Sequence, residues 1–158
     1  FGYAMEAVEV GRLGIAAQAT GIARAAMEHA RDYAKDRVQF GQPLSHFQAI
    51  RFKLAEMATR ITGARALTLA AAEVMEGATD PDAHSAGVMA AMAKLTASEA
   101  AVWTTDEAVQ IFGGYGYMRD YPVERLFRDA KGTEIYEGTS EIMRLLIARE
   151  AIGRTGAG

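Results

Sequence analysis

The chain has 158 residues, half of them hydrophobic, with 17 Lys and Arg against 20 Asp and Glu for a net charge of -3. This is the balance of an ordinary globular domain with one core, and charges of both signs are interspersed, so no basic run marks a nucleic-acid or membrane-surface partner. The absence of cysteine excludes disulfides, thiolate metal sites and thiol nucleophiles, and no apolar run approaches the roughly 20 residues needed to span a bilayer.

In chain order, the first helix is predicted from about Met5 to Asp36. Val8, Ile15 and Ile22 recur at sevens, with Met5 and Ala26 on the same face. The second runs from about Ser45 to Glu76. Phe47, Ile50, Leu54, Met57, Ile61, Ala64, Leu67, Ala71 and Val74 step by three and four along one stripe. The third, from about Pro81 to Phe112, carries Val88, Met92, Leu95, Val102, Val109 and Phe112, and Gly113 and Gly114 stop it.

Two shorter helices follow, from about Pro122 to Lys131 and from about Ser140 to Ile152. The GTEIYEGT segment between them reads as non-helical. Pro43, Pro81 and Pro122 each stand where a helical pattern is about to begin, and no strand pattern is predicted. The expected fold is all-α: an up-and-down four-helix bundle with short additional C-terminal helices. The opening at Phe1 rather than Met suggests a piece excised from a longer chain.

Residues that cost a bundle stability without serving its core are the informative ones. Gly11, Gly14 and Gly21 weaken the first helix, by about 1 kcal/mol each relative to alanine, and point to close approach of a backbone or ligand or to plain neighbour packing. Arg12 and Glu9 have the spacing of an ordinary surface ion pair. Arg37 follows the first helix, where Gly41 and Pro43 fix a turn; an arginine there complements the helix dipole or suits a pyrophosphate. The glycines of QIFGGYGYM end a helix rather than open one, so they are a C-cap and bend and not a dinucleotide-binding loop. Glu137 precedes a helix capped by Thr139 or Ser140. It is either a first-turn acid or a base tuned by the helix terminus and by burial against an apolar substrate.

Taken together, MEAVEVGRLGIAAQATGIARAAME, DRVQFGQPLSHFQAIRFKLAEMA, EAVQIFGGYGYMRDYPVERLFRDAK and EIYEGTSEIMRLLIARE resemble the C-terminal domain of the acyl-CoA dehydrogenase family, in order and over nearly the whole chain. The resemblance implies a missing N-terminal helical domain and middle β-domain, and FAD held between that β-domain and this bundle. It implies a homo-oligomer, dimer or tetramer, in which Arg37, Gln39, Phe40 and Gln48 reach a neighbouring subunit's FAD, as do Gln110, Ile111, Phe112, Gly113 and Gly114. Thr139, Ser140 and Glu141 would contact the subunit's own FAD.

Glu137 falls on the family's catalytic base, with Tyr136 and Gly138 against the acyl-CoA substrate. The base takes the α-proton as a hydride leaves the β-carbon for the flavin, giving trans-2-enoyl-CoA. Glu9 and Arg12 match an Asp-x-x-Arg motif along the substrate, with Glu where Asp is usual. One family branch places its base where this chain has Gly11, so the resemblance is to short- and medium-chain base placement. It further implies fatty acid metabolism, an electron-transfer flavoprotein as a partner, and a bacterial cytoplasm or mitochondrial matrix. The 158 residues alone are expected to bind FAD weakly or not at all and to be inactive.

Rival readings are a non-catalytic interaction bundle, an acyl-CoA oxidase, a nitroalkane oxidase and a ferritin-like metal bundle. The nitroalkane enzyme uses Asp as its base, so Glu137 speaks against it. The metal bundle requires Glu-x-x-His pairs, but His29, His46 and His84 follow Ala26, Pro43 and Pro81 at that spacing. These histidines are expected at the surface or its boundary.

Overall fold

A computed structural model of the chain describes residues 2–78 and 84–153, with side chains from residue 7 onward. Helix α1 spans Gly2–Asp36, α2 Gln48–Met75, α3 Ala86–Phe112, α4 Val123–Thr133 and α5 Ser140–Ile152. The expected third-helix start at Pro81 lies outside the described residues, as does the side chain of Met5.

Side-chain pairs give the topology. Lys53 near the start of α2 pairs with Glu107 near the end of α3, and the Arg60 guanidinium stands 4.2 Å from the centre of the Trp103 ring, so these helices are antiparallel. Tyr33 stacks on Phe112 at 4.1 Å, where α1 and α3 both end, so those two run parallel. Up-and-down order follows, with α4 against α1 and α3 and α5 against α3.

The core differs from expectation on α1. Its fully buried residues are Ala16, Ala19, Ala23, Ala26, Ala30 and Ala34, whereas Val8 is 37% exposed and Ile15 and Ile22 are only half-buried. Alanines at steps of three and four bring α1 close to α3, which contributes Ala90, Ala93, Ala97, Ala101 and Ala108. The larger side chains flank that seam. On α2 the predicted stripe supplies buried Met57, Ile61, Ala64 and Ala71. Helix α3 is buried over most of its circumference, so Met92, Leu95, Val102 and Val109 are half-buried beside smaller neighbours.

The turn expected at Gly41 and Pro43 is present, but its strand pairing and a second local contact were not predicted. Between α1 and α2, Val38–Gln39 pairs antiparallel with Gln42–Pro43 around Phe40 (φ +52°) and Gly41 (φ +79°), the two left-handed residues of a tight hairpin turn. The chain then makes a short 3-10 turn over Leu44–His46, and extended Phe47 delays α2 to Gln48 rather than Ser45. At the other end of the bundle, Glu150 of α5 accepts hydrogen bonds from the backbone N–H and Oγ of Ser85 and contacts His84 Nδ1 at 2.9 Å. This latches α5 to the start of α3. His29, His46 and His84 are all exposed.

Candidate active site

The α4–α5 link is shaped by two successive left-handed residues, Glu137 (φ +56°) and Gly138 (φ +99°). For glutamate this conformation costs about 1–3 kcal/mol and persists only where surrounding contacts impose it. Those contacts come from three helices. The Gly138 carbonyl accepts a 2.5 Å hydrogen bond from Lys94 Nζ on α3. Tyr136 donates its hydroxyl to Gln18 Oε1 on α1 at 3.2 Å and lays its ring over Gly132 of α4, where a Cβ would stand 2.9 Å from Cε1. Burial raises the pKa of Tyr136, and the bond to Gln18 offsets part of that shift.

The Glu137 carboxylate lies over Gly11 of α1. A Cβ built at Gly11 would meet Oε2 at 2.8 Å and Cδ at 3.2 Å. The glycine is therefore an approach site for a carboxylate, while Gly14 and Gly21 have nothing within 4 Å and are exposed. Of the three glycines, Gly11 alone is closely approached by another part of the chain. Glu137 itself is exposed, on the open side of the bundle.

Arg12, one residue on, is only 9% exposed, and its Nε has no hydrogen-bond partner. It makes no ion pair with Glu9, whose carboxylate turns instead against Gly87 at the start of α3. The surface pair suggested by their spacing is thus replaced by a buried guanidinium beside the Glu137 loop.

At the α5 N-terminus, Thr139 is the N-cap in extended conformation but places no side-chain hydrogen bond on the helix backbone. Glu141 is held below the usual carboxylate range by a bond to its own N–H and then by the Thr139 hydroxyl. Ser140 is buried and its Oγ has no partner. Those polar groups, with Glu137, form one cluster.

The remaining candidates gather near the opposite end of α1. Residues 11 and 37 are separated by about 39 Å at 1.5 Å per residue. An open groove of about 520 Å³ is lined there by Arg37, Gln39, Ile111, Phe112, Gly113 and Gly114, among others. Arg37 stands 5.4 Å from the Tyr115 ring centre, a cation–π arrangement that aims its planar donors. Gly113 (φ +61°) caps α3 and, with Gly114, leaves backbone open to solvent. A guanidinium beside uncovered backbone suits the phosphates of a nucleotide cofactor. Phe40 projects at 91% exposure from the hairpin tip, edge-on to Phe47 at 6.2 Å. Gln48 and Gln110 are exposed and do not line the groove.

Lys94 and Gln18 escaped the sequence reading. The available signal for Lys94 is its position four residues after Ala90 and three before Ala97, on the buried small-residue face. Nothing in the chain order marks Gln18.

These features define a class: a helical bundle that presents a positioned carboxylate on one open face and an open groove with an arginine and uncovered backbone on another. The family description "Acyl-CoA dehydrogenase, C-terminal domain" matches residues 1–152. An acyl-CoA dehydrogenase of Bacillus subtilis (strain 168) is 57% identical, with 98% of this chain and 40% of that protein covered. The acryloyl-CoA reductase (NADH) of Anaerotignum propionicum is 50% identical over 98% of the chain and 38% of its own length. Among solved structures, butyryl-CoA dehydrogenase from Megasphaera elsdenii superposes with a TM-score of 0.90 at 49% identity, over 97% of this chain and 39% of that one. A chain from a structure of the electron transferring flavoprotein of Acidaminococcus fermentans gives 0.89 at 50% identity, over 98% and 39%.

The chain belongs to the acyl-CoA dehydrogenase family. It spans about two fifths of the length of the curated relatives named above.

Proposed function

We propose that the chain is the C-terminal domain of an FAD-dependent enzyme that oxidises acyl-CoA thioesters to trans-2-enoyl-CoA, with Glu137 as the base that takes the α-proton. The observation that carries this reading is the Glu137 carboxylate seated over Gly11, on strained backbone that three helices impose. A base needs a fixed carboxylate within reach of the proton it removes, and a strained, externally braced loop serves that end.

Arg37 and the Ile111–Gly114 backbone would hold the cofactor's phosphates, with Gln39 and Phe40 at the groove's edge and Gln48 and Gln110 beyond it. Thr139, Ser140 and Glu141 would meet it near the base. When bound, FAD supplies the two-electron acceptor for the β-hydride. Arg12, Tyr136 and Gly138 would line the thioester, and Glu9 the more distant part of the substrate. By reversibility the same carboxylate returns a proton to the α-carbon in the reductive direction, which is the direction named for the Anaerotignum relative.

The two clusters lie at opposite ends of α1, so each is open to completion by a different neighbour. This separation supports a homo-oligomer in which one subunit's groove meets the cofactor of the next. It also supports a parent protein that adds the N-terminal helical and middle β-domains. The likeness to a chain in an electron transferring flavoprotein structure supports such a flavoprotein as redox partner. No described helix is long and apolar enough to cross a membrane, and a cytoplasmic or mitochondrial-matrix enzyme of fatty acid metabolism fits bacterial and mitochondrial relatives alike.

The test is anaerobic mixing of the full-length parent enzyme with a panel of acyl-CoAs while the flavin absorbance is followed. Bleaching by at least one saturated acyl-CoA, with enoyl-CoA formed in equal amount, is expected. A parent that holds FAD but is bleached by none of them would overturn the proposal. The isolated 158 residues are expected to remain colourless and inactive.

A further inference from the structure

Lys94 is 0% exposed, yet its ammonium makes one hydrogen bond, to the Gly138 carbonyl. An ammonium can donate three hydrogen bonds, and a charge in a packed interior holds firmly to the acceptor that satisfies it. That acceptor belongs to the residue immediately after Glu137. The surrounding helices and link contribute Arg12 from α1, Glu134 and Glu137 from the α4–α5 link and Glu141 from α5. The three carboxylates favour the ammonium and Arg12 opposes it, while burial is the largest influence and depresses the Lys94 pKa.

From this geometry we infer that Lys94 is a positioning residue: its bond to the Gly138 carbonyl fixes the left-handed turn at Glu137 and Gly138 and so aims the Glu137 carboxylate over Gly11. The inference rests on the reading of Glu137 as the base.

Two tethers hold the link, one to each of two helices. Tyr136 is tied to Gln18 on α1, and Gly138 is tied to Lys94 on α3. The residue between them carries the carboxylate. Without the second tether the Gly138 peptide is free to rotate and Glu137 to relax toward an ordinary right-handed conformation, which turns its side chain off Gly11. A lysine serving only to fill space is replaceable by methionine, whose shape is similar and which needs no acceptor. Methionine therefore separates positioning from packing.

The experiment uses the full-length flavin-loaded enzyme and compares parent, Lys94→Met, Glu137→Gln and the double variant by stopped-flow flavin bleaching with an acyl-CoA that the parent oxidises. Lys94→Met is expected to hold a full complement of FAD, to lower the limiting bleaching rate at least about tenfold, and to leave the half-saturating acyl-CoA concentration within about threefold. In the Glu137→Gln background the same change is expected to alter the rate by less than about twofold, because Lys94 acts through the carboxylate that is already gone. A parent-like rate in Lys94→Met, or an equal loss in both backgrounds, overturns the inference. If Lys94→Met loses FAD, Lys94→Gln is read by the same criteria, and loss of FAD from both overturns a role confined to the base. Failure of the underlying assignment looks different: Glu137→Gln itself would bleach like the parent.

Discussion

Replacing Gly11 with alanine should drive stability and activity in opposite directions. Gly11 lies within α1 in right-handed conformation, where alanine is favoured by about 1 kcal/mol. The added Cβ would stand 2.8 Å from Glu137 Oε2 and 3.2 Å from Cδ. An ordinary contact of about 3.5 Å requires the carboxylate to retreat by about 0.7 Å. The carboxylate is the far end of a side chain on an exposed link, so it yields without disturbing the helix packing, and most of the propensity gain remains.

A misplacement of about 1 Å in a reacting group can cost about a hundredfold, so a loss of about tenfold to a hundredfold in flavin reduction is expected. That corresponds to about 1.4–2.7 kcal/mol of barrier. The paired assay is stopped-flow bleaching of the full-length Gly11→Ala enzyme by acyl-CoA together with its thermal unfolding. A slower, flavin-replete enzyme whose melting temperature rises by about 1 °C is predicted. Parent-like bleaching would refute the claim that the carboxylate works from above Gly11, and a fall in melting temperature would show it to be rigidly held there.

Arg37→Ala should weaken FAD retention by about tenfold or more through loss of a charge-assisted donor, and Arg37→Lys should restore little because the planar fork over Tyr115 is what aims the donors. Flavin content after dialysis, or a fluorescence titration, measures both. Glu150→Ala should lower the melting temperature near pH 7 by releasing Ser85 and His84. The folded Glu150 carboxyl sits below its ordinary value, chiefly through the Ser85 hydroxyl, so its stabilisation is complete above the unfolded value of about 4.3. It is lost as pH falls through the folded value, and the gap between parent and Glu150→Ala should therefore narrow below about pH 4.3.

The order of helices was legible because amphipathic periodicity and glycine stops are local signals. Helix α5 begins at Ser140 and ends at Ile152 as read from the sequence, and α2 buries Met57, Ile61, Ala64 and Ala71 from its predicted stripe. Apart from Ala26, the seam of α1 was misjudged because the reading followed size. Val8 and Ile22 drew attention, while the closest packing uses alanines, whose value lies in how near they let α3 come. The turn at Gly41 and Pro43 was read, but its strand pairing and the left-handed Phe40 were not, because a phenylalanine at such a turn position carries no recognisable signature.

At the site, sequence motifs named Glu137 and Gly11 but not their meeting, which depends on how α1 packs beside the α4–α5 link. Lys94 was passed over because a lone lysine between alanines is usually a solvated one, and only the placement of Gly138 reveals its acceptor. Arg12 was read as a surface partner of Glu9 for the same reason: spacing along one helix says nothing of what another helix covers.

The measurement that bears most directly on the account is flavin bleaching in the full-length Glu137→Gln enzyme, which keeps the size of the side chain and removes its basicity. A variant with normal FAD content and acyl-CoA binding, but with bleaching lowered by at least about a thousandfold, is the predicted result. Bleaching at the parent rate would reduce Glu137 to an acid at the head of α5 and contradict the mechanism.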